Sequence, residues 1–157
     1  MNMYDEMCRR HQREVNNFLN KYAFFAYDNN QFLKGLQKFG VSENDAHEVF
    51  YGTDHGCFVL KEKYNDFLAL ADRVYQERQD ALHDPETGYQ FAVDMFRSEL
   101  ANHEYSYTGE LEETLDALGL TMAEVLQDKT LSKALLEAIQ ADALLGAVGA
   151  DSGGGDE

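Results

Sequence analysis

The chain has one proline, no tryptophan and only two cysteines in 157 residues. So little proline beside so many strong helix formers predicts a largely helical protein. Cys8 and Cys57 are too few for a disulfide framework of the kind small secreted domains depend on, so both are expected reduced. No apolar run approaches the roughly 18 residues that would span a bilayer, and the start, MNMYDEMCRRHQREV, has no hydrophobic signal region. A cytoplasmic protein without membrane association is expected. There is no glycine-rich strand-to-helix loop to cradle phosphate, the glycines at 153–155 being in the tail. His11, His47, His55, His83 and His103 include no pair at i, i+4, the spacing of a metalloprotease helix. No cofactor or metal is expected, and the chain does not read as an enzyme.

Bases are scarce in the second half. Residues 1–83 hold 13 acids and 10 bases, a net of −3, whereas residues 84–157 hold 16 acids and 3 bases, a net of −13. Residues 98–128 contain no Lys or Arg at all. Binding nucleic acid requires cations to neutralise phosphates, so no direct nucleic-acid binding is expected of this half and a basic protein partner is favoured.

Apolar residues make up 44% of the chain, with ten Phe and nine Tyr. That is enough to bury one core and offset the entropy of ordering. The expected architecture is a single α+β domain over residues 1–145, mostly helical with about six or seven helices and a small two- or three-stranded antiparallel sheet. Residues 146–157 are expected to form a flexible acidic, Gly-rich tail.

Apolar periodicity places the elements. Met7, His11, Val15, Phe18 and Tyr22 form the stripe of a first helix, and the histidine on that stripe reads as a satisfied boundary residue. The run YAFFAY reads as a buried strand. Asp28 caps a helix with stripe Phe32, Leu36 and Phe39 and a left-handed stop at Gly40. Ser42 opens a short helix through Phe50, with Asp45 at the capping position. YGTDHG then reads as a turn into a strand CFVLK, with room for a third strand before it. A long helix over 65–83 is expected to bury Phe67, Leu68, Ala71, Val74, Tyr75 and Leu82. Asp84-Pro85 starts a helix that buries Tyr89, Ala92, Met95, Phe96 and Leu100.

Next comes HEYSYTGELEETLDALGLTMAEV. Thr108 is the expected cap of a helix with stripe Leu111, Leu115 and Leu118, ended by Gly119. Glu110, Glu112, Glu113 and Asp116 fall off that stripe. Thr121 and Glu124 form a capping box, with Leu120 stapled onto Val125. A last helix, about 129–145, buries Leu131, Leu135, Ala138 and Ile139. The four acids at 110–116 would occupy about 10 Å of helix, one per roughly 2.6 Å. Duplex DNA carries one charge per about 1.7 Å. Carboxylates at this density meet the physical requirement for entering a groove that normally holds phosphate; a solvated acidic helix face is the alternative. Tyr105 and Tyr107, two apart in a strand-like linker, divide between packing and an interface.

Asp54, His55 and Cys57 are the best metal or catalytic candidates, although turn chemistry alone accounts for the Asp and the Gly there.

At KYAFFAYDNNQFLKGLQKFG and at NHEYSYTGELEETLDALGLTMAEV, the chain resembles an uncharacterised family of small proteins encoded on phages and conjugative elements of gut Firmicutes. The resemblance covers most of residues 20–130. Members of that family have a Gly-rich turn before the second strand, where this chain has GTDHGC. The resemblance implies a mobile-element context, in which small acidic proteins often counter host defence by mimicking DNA. The expectation that follows is a non-enzymatic inhibitor that binds a basic, nucleic-acid-binding host nuclease of the anti-CRISPR or anti-restriction type of target, a Cas effector for example. Glu110, Glu112, Glu113 and Asp116 would supply the charge, with Glu104, Asp128, Tyr105 and Tyr107 at the rim. The alternatives are an accessory or regulatory module that binds another element-encoded protein through apolar helix faces, and a small metal-dependent enzyme built on Asp54, His55 and Cys57.

Overall fold

A computed structural model describes residues 2–152, with side chains described for residues 2–144. In chain order the helices and strands are α1 (Met3–Tyr22), β1 (Ala23–Phe25), α2 (Asn29–Phe39), α3 (Ala46–Val49), β2 (Phe50–Gly52), β3 (Cys57–Leu60), α4 (Tyr64–Leu82), α5 (Gly88–Asn102), α6 (Tyr105–Thr108), α7 (Glu112–Leu118), α8 (Met122–Gln127) and α9 (Lys129–Ser152). The fold is α+β and mostly helical, with a three-stranded antiparallel sheet in the order β1-β3-β2. Among the described residues no helix is long and apolar enough to cross a membrane. The last helix runs to Ser152 rather than stopping near 145, and residues 153–157 of the expected tail lie outside the described residues.

The chain divides into two compact units, one made of the residues up to 8 and from 78 onward, the other of residues 9–77. Charge follows that division. The first unit carries 19 acids against 4 bases, a net of −15, and the second 10 acids against 9 bases, a net of −1.

In the unit of residues 9–77, strand alternation sorts the core into two clusters. Phe24, Phe50 and Phe58 face α2, where Phe24 stacks on Phe58 at 5.1 Å and meets Phe50 edge-on at 5.2 Å. Ala23, Cys57 and Val59 point to the other face and pack with Phe18, Leu19 and Phe67. Asp28 caps α2 by accepting the Gln31 N–H at 2.8 Å, and Gly40 ends it at φ 65°. The segment from Ser42 is a 3-10 turn (Glu43–Asp45) followed by the single turn of α3, and Phe50 is already strand. Within YGTDHGC, Thr53 closes a hairpin. Its N–H donates to the Cys57 carbonyl at 2.8 Å and its Oγ1 accepts the Cys57 N–H at 3.2 Å, while Gly56 takes φ 75° beneath Ala26 and Tyr27.

α4 presents a narrower inward stripe than its composition suggests. Phe67, Val74 and Leu82 are half-buried, but Leu68 and Tyr75 are 44% and 57% exposed and Ala71 is also exposed. At 100° per residue Leu68 and Tyr75 share a direction about a quarter-turn from Phe67.

In the other unit α5 is central, packing against α6, α7 and α9. Phe91, Ala92, Val93, Met95, Phe96 and Leu100 are buried, so the helix is covered nearly all round rather than on one face. Tyr89, expected inside, is 42% exposed and donates its hydroxyl to Glu137. Asp84 accepts the Glu86 and Thr87 N–H groups, both at 2.9 Å, which holds the turn through Pro85, and α5 begins at Gly88. Those two bonds keep the Asp84 carboxyl below the usual range.

Candidate functional site

The acidic segment is built from three short helices. After α5, Glu104 adopts φ 55°, the one positive φ of a non-glycine among the described residues. Its carbonyl accepts the Tyr107 and Thr108 N–H groups at 2.9 and 3.1 Å, which makes the turn of α6, and Gly109 closes that turn at φ 67°. Thr108 therefore ends one helix instead of capping the next, and its Oγ1 accepts the Glu110 N–H at 3.1 Å. Tyr105 and Tyr107 are thus helical, not strand-like. Tyr105 packs on the core while Tyr107 is 88% exposed.

α7 begins only at Glu112, so Glu110 precedes it. Leu115 and Leu118 are buried beside Thr114, and Gly119 ends the helix in the left-handed conformation. The capping box is present: Thr121 Oγ1 accepts the Glu124 N–H at 3.1 Å, and Glu124 Oε1 accepts the Thr121 N–H at 3.2 Å. It fixes where α8 starts. Leu120 and Val125 belong to the same apolar cluster, as the staple requires.

Glu110, Glu112, Glu113 and Asp116 are all exposed, but they do not act as one face. Glu112 and Asp116, one turn apart, line an open groove of about 380 Å³ together with Leu111, Leu115, Leu120 and Met122. Glu113 instead lies 3.8 Å from His103 Nδ1, and His103 Nε2 lies 3.4 Å from Glu99. Asp128 is half-buried and accepts the Leu131 N–H at 3.0 Å, capping α9. Among the described residues the carboxylates of Glu110, Glu112 and Asp116 form no ion pair, and the nearby Arg78 donates instead to the Leu118 carbonyl at the end of α7, at 3.2 Å.

The other candidates separate in space or in environment. Asp54 and His55 are exposed in the hairpin turn, whereas Cys57 is buried in the sheet, where burial pushes its thiol pKa up. Among the described residues no three His, Cys, Asp or Glu side chains group to hold a metal ion. His11 is 8% exposed, with Nε2 2.8 Å from Glu77.

A family of unknown function (DUF7659) matches the chain over residues 3–141. The chain belongs to this family. No curated protein and no solved structure matches it.

Met122 and Leu126 add exposed apolar surface beside the groove that the sequence pattern alone does not single out. They stand four apart on α8, 39% and 68% exposed, while Val125 between them is buried. The spacing is present in TMAEVL, but it becomes a surface feature only once the cap at Thr121 sets the helix phase.

Proposed function

We propose that the chain is a non-enzymatic inhibitor, carried by a phage or conjugative element and acting in the host cytoplasm. It presents its acidic unit to the nucleic-acid-binding surface of a host defence nuclease, of CRISPR or restriction type, and blocks access of DNA. The observation that carries this reading is the segregation of charge, a net of −15 on one unit against −1 on the other. Such a field accelerates encounter with a basic surface and weakens steeply with salt. Glu110, Glu112 and Asp116 are exposed and, among the described residues, form no ion pair, which leaves them available for the contact.

The test is DNA cleavage by a Cas effector or restriction nuclease of the host with added protein, at low and high ionic strength. Inhibition that fades with salt and is abolished in Glu112→Lys/Asp116→Lys, with an unchanged circular dichroism spectrum, is expected. Inhibition indifferent to the reversal would remove these residues from the contact.

A second reading has its own observation. Leu126, Leu136 and Leu144 are 68%, 57% and 68% exposed on α8 and α9. They suit an accessory module that joins another element-encoded protein through apolar helix faces, and binding would then resist salt.

A further inference from the structure

We infer that the groove between α7 and α8 is the docking site for a basic amphipathic helix of the partner, which seats apolar side chains in the groove and sets Lys or Arg against Glu112 and Asp116. The inference rests on the acidic-partner reading above and specifies its contact.

The groove itself comes first. It is an open hollow of about 380 Å³, and four of its lining residues, Leu111, Leu115, Leu120 and Met122, are apolar. A charge-only surface needs no such hollow. The apolar surface also continues beyond it, because Leu126 lies one turn from Met122 along the exposed side of α8.

Charge then selects the occupant. Glu112 and Asp116 stand one helical turn apart on the lining, and no Lys or Arg occurs between residues 98 and 128. Nucleic acid, anionic lipid and acidic peptides are repelled. Residues at i, i+4 of a helix have Cβ atoms about 5–6 Å apart, which matches side chains spaced by one 5.4 Å turn of a partner helix.

Backbone chemistry decides between a helix and an extended strand. An added strand needs an open sheet edge, and this groove is formed by two helices and the turn between them. A helix satisfies its own backbone and offers apolar residues at i, i+3, i+4 and i+7 to such a groove.

The experiment uses the full chain and a labelled synthetic Leu/Lys amphipathic helix of about 18 residues, long enough to be helical when bound. Two controls accompany it: the same peptide with its Leu anchors changed to Ser, and polylysine of equal length. Fluorescence anisotropy is read at low and high salt. The Leu/Lys peptide is expected to bind, with affinity at least about tenfold above the Ser peptide, the value of burying one large apolar side chain. Met122→Lys, which puts a cation in the groove, should remove that advantage, while Glu43→Gln, the same one-unit change of net charge made in the other unit, should not. Backbone amide shifts in the unsubstituted chain should centre on residues 111–126, which keeps the test decisive if Met122→Lys fails to fold. Equal affinity for all three peptides, or shifts elsewhere, would overturn the groove while leaving the charge-based reading standing. Binding of none of them would overturn both.

Discussion

His11 Nε2 lies 2.8 Å from Glu77 Oε2, and the same carboxylate oxygen accepts from Arg10 at 2.8 Å. Arg73 bridges Glu77 to Glu14, so Arg10, His11 and Glu14 of α1 and Arg73 and Glu77 of α4 form one polar network within the unit of residues 9–77. The sequence showed a histidine on an apolar stripe, and the structure supplies its partner.

This network makes stability depend on acid pH. Hydrogen bonding from Arg10, then from His11 and Arg73, holds the Glu77 carboxyl down at about 2. A depressed carboxyl contributes stability above its unfolded pKa of roughly 4.3 and loses it as pH falls towards the folded value. Parent protein should therefore weaken between about pH 5 and pH 2. In urea unfolding, Glu77→Gln should be less stable than parent at neutral pH, with the difference closing near the acid end. A constant difference at every pH would assign Glu77 a packing role instead.

Gly35 sits inside α2, where glycine costs about 1 kcal/mol relative to alanine. The reason is Phe24, whose ring occupies the space a Cβ would need. Gly35→Ala should consequently destabilise by about 1–3 kcal/mol despite its better propensity, as overpacked cores do. In a Phe24→Ala background the same change should become neutral or favourable, and a double-mutant cycle by thermal unfolding measures that coupling. Additive effects would dissociate the two residues.

Glu104 carries a left-handed backbone, φ 55° and ψ 38°, at the start of the acidic segment. That conformation costs a residue with a Cβ about 1–2 kcal/mol, part of which glycine returns as chain entropy. Glu104→Gly should accordingly raise stability by about 0.5–1 kcal/mol in chemical denaturation. If binding to a basic partner weakens in the same variant, Glu104 belongs to the contact, and if binding is unchanged it is only a turn residue.

Local signals carried far. Asp28 with Gln31, Thr121 with Glu124, and the glycines at 40 and 119 act over three or four residues, and each appears where its chemistry places it. Thr108 failed because a left-handed Glu104 opened an extra turn that ends at Gly109. Nothing in the side chains at 103–109 announces a glutamate with positive φ. Tyr89, Leu68 and Tyr75 failed differently, since apolar composition says how much surface a helix can bury but not how much its neighbours cover. α5 is enclosed by three helices, whereas α4 buries only part of its apolar surface.

Composition and periodicity by themselves determined a mostly helical α+β chain, a small antiparallel sheet and an acidic second half, because those depend on short-range spacing and on counts. Tertiary structure decided which acids share a site. Glu112 and Asp116 line a groove while Glu113, adjacent in the chain, meets His103, since a 100° step per residue sends neighbours on one helix toward different surroundings. It also decided that residues 1–8 join those from 78 onward, a long-range association no local pattern encodes, and with it that one compact unit carries nearly all the net charge.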